Sequence, residues 1–199
     1  MADLETALFK LKKAHGDFLL PGVFDRNRDL DDCWPSDLPR SSETDLFFTN
    51  YEPRGVRFET GFTPMNFFEV AKLKKAQLGY RWTQGPENTK SVATWPGQFL
   101  VLMDGSGGGK PIIADTSTTG TPVYAAYDVV VPFKIADTLA DYFLALAELI
   151  AVVYGEYDVF DIADEDDNIL PEFSKTLEVN LIAILGKENF VRFFDYFYG

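Results

Sequence analysis

Three aspartates close short apolar runs in the middle of the chain: Asp104, Asp115 and Asp128. Brought together, their oxygens would suit a hard divalent cation. Aspartate is equally a turn residue, since its side chain accepts hydrogen bonds from nearby backbone N–H groups. Their placement at strand ends favours turns. Between the first two runs lies Gly105-Ser106-Gly107-Gly108-Gly109-Lys110. A phosphate loop has four residues between its first glycine and its Gly-Lys pair, then Ser or Thr, then a helix. Here three residues separate Gly105 from Gly109, Pro111 follows the lysine, and an apolar strand-like run comes next. The segment therefore reads as a hairpin turn, where glycine supplies a positive φ.

His15 is the only histidine, so no His-His metal motif is possible. No G-x-S-x-G nucleophile elbow accompanies it. It should follow the first helix, where a protonated imidazole suits the helix dipole. Cys33 is the only cysteine, which rules out an internal disulfide and fits a reducing compartment. Its neighbours Asp31 and Asp32 have the wrong sign to activate a thiol. The densest charge lies in Glu156 to Asn168, with seven acids and no base. The run lacks the spacing of a calcium loop, which needs glycine at the sixth position and glutamate at the twelfth. It reads either as a wet loop or as a docking surface for a basic protein. In the second case Asp158, Asp161, Asp164, Glu165, Asp166 and Asp167 make the contact. No catalytic residue, metal ligand or cofactor is assigned.

The elements that must position these residues follow from pattern and punctuation. Leu4, Ala7, Leu8 and Leu11 share one face of a helix over Ala2 to Ala14, with Asp3 as its N-cap. Gly16 to Arg40 reads as loop. Ser41 or Ser42 caps a short helix through Phe48. Gly55 to Gly61 alternates like a strand, and Asn66 to Leu78 reads as a helix with Phe68, Leu73 and Ala76 inward, ended near Gly79. Arg81 to Thr94 is polar and loop-like. Trp95 to Tyr127 then predicts a meander of three strands. Its first strand has no polar face, so it should be central and covered on both sides. After a connection at Asp128 to Pro132, Lys134 to Tyr154 predicts a long helix ended by Gly155. Pro171 starts another helix, which stops at Gly186. Lys187 to Tyr198 forms the last, with Phe190, Phe193, Phe194 and Phe197 on one stripe that packs on the domain or meets a partner.

The 199 residues suffice for one domain with a substantial core. No apolar run approaches the roughly 20 residues of a membrane span. The acidic N-terminus is unlike a signal peptide. These features predict a cytoplasmic protein. A net charge of −13 repels nucleic acid and anionic lipid and favours basic partners. The fold class is α+β: one mixed or antiparallel sheet with a central meander, flanked by helices. Residues 1–199 form a single domain, with its core at about 38–150 and a helical C-terminal extension at 156–199.

Several of these segments resemble the SUKH superfamily, which includes the fungal cell-wall assembly regulators and many bacterial immunity proteins of polymorphic toxin systems. The matching residues are Trp95, Asp104 with Gly105, the Gly107-Gly108-Gly109 turn, Pro111 to Asp115, and Pro122-Val123-Tyr124. Lys134 to Phe143 is similar to the family's following helix, and Leu38-Pro39 with Asp45 to Phe48 to its opening. The resemblance covers Leu38 to Leu149. Lys110 stands where the family commonly has an acid, and Tyr154 to Gly199 has no counterpart. The resemblance implies a non-enzymatic protein that binds a cognate toxin, often a nuclease, tightly enough to block it. It would act as a monomer or weak dimer. The alternatives are a regulatory scaffold of the fungal type, or a divalent-metal or small-ligand-binding enzyme built on Asp104, Asp115 and Asp128.

Overall fold

The structure is a computed structural model that describes residues 3–84, 89–128 and 131–199. Its spine is strand β7 (Phe99–Gly105), buried at every position. A strand with no polar face needs cover on both sides, and β7 has it. It lies fourth in a six-stranded sheet of order β10-β9-β8-β7-β4-β3. These are β3 (Arg57–Phe58), β4 (Met65–Phe67), β8 (Ile112–Asp115), β9 (Val123–Ala125) and β10 (Phe133–Ala136). Every pairing is antiparallel. The fold is therefore α+β, with the meander β7-β8-β9 at its centre. Phe99 sits opposite Asp115, and Ala114 opposite Val123.

The pleat sorts side chains to two faces. Leu100, Leu102, Ile112, Ala114, Val123 and Ala125 join the main core. Phe99, Val101, Ile113 and Ala126 form a smaller cluster with Tyr80 on the other side. Helix α5 (Leu139–Ala151) lies in the main core and buries Leu139, Tyr142, Phe143, Leu146 and Ile150. Its Tyr142 hydroxyl donates to the Met103 sulfur at 3.3 Å. Helix α1 (Leu4–Asp17) packs along α5, burying Ala7, Leu8 and Leu11. Asp3 caps it, accepting from the Thr6 N–H at 3.0 Å. Helix α3 (Ser42–Tyr51) is held by a capping box in which Ser41 and Thr44 exchange hydrogen bonds. Helices α6 (Pro171–Leu185) and α7 (Lys187–Tyr198) complete the cover, α6 against α5 and α7 against β10. Phe190, Phe193 and Phe197 of the aromatic stripe are buried and Phe194 is half-buried, so the stripe packs on its own chain.

Several boundaries differ from the sequence reading. Within Gly16 to Arg40 lie β1 (Val23–Asp25) and the short α2 (Leu30–Cys33). β1 pairs with β2 (Glu52–Arg54), an element without a clear alternation. The strand expected over Gly55 to Gly61 shrinks to β3, and the helix expected from Asn66 starts only with α4 (Val70–Ala76). Met65 to Phe67 is drawn into the sheet instead, because its backbone pairs with β7. The Arg81 to Thr94 segment holds a hairpin of β5 (Trp82–Gln84) and β6 (Thr89–Ser91). Lys134 to Ala136 is a strand rather than helix. Thr138 caps α5, its hydroxyl accepting from the Asp141 N–H at 3.0 Å, and this cap sets where helix begins. Beyond Ala151 the chain widens into a π-helical turn, Val152–Glu156. In the expected Asp128 to Pro132 connection, residues 129–130 lie outside the described residues.

Candidate functional site

The glycine turn is built on a buried aspartate. Asp104 is the last residue but one of β7, only 8% exposed. One of its oxygens accepts the Tyr80 hydroxyl at 2.6 Å and the other accepts the Lys110 N–H at 2.9 Å. The Tyr80 oxygen in turn accepts the Gly109 N–H at 3.0 Å. Burial pushes the Asp104 carboxyl up from its ordinary range, and the hydrogen bonds from Tyr80 and the turn backbone pull the other way. Burial and the Asp104 carboxylate together push the Tyr80 phenol up. Gly108 and Gly109 take φ of +74° and +82°. A Cβ on Gly109 would stand 2.4 Å from Asp128 Oδ1. Gly107 completes the turn with open space around it.

The three aspartates do not converge. Asp115 pairs with Phe99 at the opposite end of β7 from Asp104, five residues or about 16 Å away. Its carboxylate accepts from Ser117 N–H at 3.0 Å, Ser117 Oγ at 2.7 Å and Thr118 Oγ1 at 3.3 Å, which is a turn role. Asp128 is exposed and lies near Asp104, beside a groove of about 550 Å³ that Lys72, Lys75 and Phe68 also line. Among the described residues, no group of three or more His, Cys, Asp or Glu side chains is placed to hold a metal ion. Trp95, Phe99 and Tyr124 continue the aromatic row from Tyr80 along the sheet, with ring centroids 5.3 to 6.0 Å apart. Val123 points into the main core instead.

Lys110 is held between the glycine turn and the last helix. Its ammonium donates to Thr63 Oγ1 at 3.1 Å and to the Tyr196 carbonyl at 3.2 Å, and lies over the rings of Tyr127 and Tyr196. The Tyr196 hydroxyl donates back to the Lys110 carbonyl. Burial pulls the ammonium below its ordinary value. The lysine thus joins the glycine turn to α7, in the C-terminal segment.

His15 corrects an expectation. It lies inside the last turn of α1, buried against Phe24, with Nε2 3.0 Å from the Pro21 carbonyl. Desolvation pulls its pKa down against that carbonyl, so the neutral imidazole is favoured over the protonated one. Cys33 is exposed at the end of α2.

The acidic run is an ordered protrusion. Ile162 is buried and its carbonyl accepts the Leu170 N–H at 2.9 Å, pinning the loop at its middle. Asp164 Oδ1 accepts from the N–H groups of Asp166 and Asn168, at 3.0 and 2.9 Å. Those bonds and the Asn168 amide hold the Asp164 carboxyl below the usual range. Glu156, Asp158, Asp161, Asp164, Glu165, Asp166 and Asp167 are all exposed. Among the described residues, none of them pairs with a cation. Phe160 stands among them 77% exposed, and Phe62, 43% exposed, projects from the neighbouring loop. The two loops touch where Gly61 meets Val159 and Ile162. The sequence reading missed Phe160, although an aromatic inside a charged run was its signal. Tyr80 carried no signal, because the partner that makes it matter is distant in sequence.

Comparison of the chain with protein-family models, curated proteins and solved structures found no match in any of the three. Among the described residues no helix is long and apolar enough to cross a membrane.

Proposed function

We propose that this protein is a non-enzymatic binder that neutralises a basic toxin, of the nuclease type, by docking its acidic loop against the toxin's phosphate-binding surface. One observation carries the reading: six exposed acids, none paired with a cation among the described residues, share a loop with a bare phenylalanine. Exposed carboxylates without counterions steer a basic partner and raise its association rate. An exposed aromatic on the same loop is the usual anchor of a contact. The resemblance to SUKH-type immunity proteins supports the same role, in the cytoplasm.

The test uses the full chain and the toxin domain encoded beside its gene. A one-to-one complex should form, with an association rate that falls steeply as salt rises. Neutralising Asp158, Asp161, Glu165, Asp166 and Asp167 together should slow association about tenfold, with dissociation little changed. Asp164 is left in place because it holds the loop. Phe160→Ala should instead speed dissociation by about tenfold or more. A toxin neither bound nor inhibited at micromolar protein refutes the proposal, and so does binding indifferent to all six changes.

A further inference from the structure

A groove of about 740 Å³ lies apart from both the acidic loop and the glycine turn, between the exposed side of α1 and the end of α3. Its size falls in the range of small-molecule sites, roughly 300 to 1,000 Å³. Phe9, 62% exposed, and the half-buried Tyr51 line it with aromatic surface. Lys12 brings its ammonium 5.9 Å from the Tyr51 ring centroid. Arg26 donates Nε to Asn50 Oδ1 at 3.3 Å, which orients the guanidinium and leaves its other N–H groups open.

Five charged residues line the groove: Glu5, Lys12, Lys13, Asp17 and Arg26. The chain carries 31 acids against 18 bases, and Arg40, Arg54 and Arg192 all pair with carboxylates. In the groove Lys13 pairs with Asp17 one turn along. Among the described residues, Lys12 and Arg26 pair with no carboxylate. Gly16 forms part of the same wall. A Cβ there would meet nothing within 4 Å, so packing demands no glycine at this place in α1. Gly16 lines the groove without a side chain of its own.

We propose that this groove binds a small aromatic phosphomonoester with the dimensions of a nucleoside monophosphate. The ring lies against Phe9 and Tyr51, and the phosphate meets Lys12 and Arg26. Aromatic walls favour a flat ring. A guanidinium matches the geometry of phosphate oxygens, and an ammonium adds a point charge. This site is independent of the acidic loop and of any toxin.

The experiment is calorimetric titration of the full chain with adenosine monophosphate at low ionic strength. Saturable one-site binding is expected, with inorganic phosphate and adenosine each at least about tenfold weaker. Lys12→Gln and Arg26→Gln should each weaken binding about tenfold without lowering the thermal midpoint. Gly16→Leu should block the groove while leaving helical circular dichroism intact. The proposal is overturned by no saturable heat up to about 5 mM nucleotide. It is overturned equally by phosphate binding as tightly as the nucleotide, or by a Lys12→Gln, Arg26→Gln double variant that binds like the parent.

Discussion

Gly109 shows how one residue can carry a structural requirement that no neighbour in sequence reveals. Its φ of +82° suits glycine, and a Cβ there would have to push aside the exposed Asp128 carboxylate. Gly109→Ala should therefore destabilise the fold by about 2 kcal/mol, read from the urea midpoint at constant m-value. Gly107→Ala, with open space and no positive φ, should cost well under half as much. His15 supplies the pH-dependent test. Its folded pKa lies below the ordinary value of about 6.5, so the unfolded chain takes up the proton first as pH falls. Its contribution is present above pH 6.5 or so and is lost as pH falls through the folded value, at no more than about 1.4 kcal/mol per pH unit. Replacing His15 with Gln should flatten the fall in stability between about pH 7 and pH 5, measured by urea unfolding at several pH values.

At the scale of elements, caps decide boundaries that periodicity leaves open. The apolar spacing from Ile135 onward fits a helix, yet the chain stays extended through Ala136 because β10 pairs with β9. Helix starts only where the Thr138 hydroxyl can satisfy a free N–H of the first turn. Thr138→Ala should cost about 1 kcal/mol of stability by chemical denaturation, with a Ser replacement recovering most of it. The helices with strong punctuation were legible in advance: Asp3, Ser41, Pro171 and Gly186 each stand at the end they were expected to mark. The short strands β1, β2 and β4 were not. Two or three residues carry too little alternation to announce themselves, and their backbone partners lie up to 40 positions away, as from Met65 to Gly105.

Over the whole molecule, the terminal helices are part of the main core, which runs from Ala7 to Tyr198. Phe193, Tyr196 and Phe197 are almost wholly buried, and each such side chain is worth about 2–3 kcal/mol on burial. Three of them approach the total stability of a typical domain, about 5–15 kcal/mol. Truncation after Leu185 should abolish cooperative unfolding, seen as a lost near-ultraviolet signal and a broad thermal transition. Retention of a sharp transition would mean that residues 3–185 suffice. Lys110 belongs to this scale too, because it fastens the central turn to the last helix.

Local chemistry in the chain determined the α+β class, the meander, the C-terminal helices and the clustering of acid between Glu156 and Asn168, since each depends on residues within a few positions of one another. Tertiary structure alone decided that Asp104 and Asp115 lie at opposite ends of the paired strands β7 and β8, that Tyr80 closes the glycine turn, and that Phe160 stays bare while Ile162 is buried. Those outcomes rest on pairings across the sheet and between loops, where distance in space is unrelated to distance along the chain.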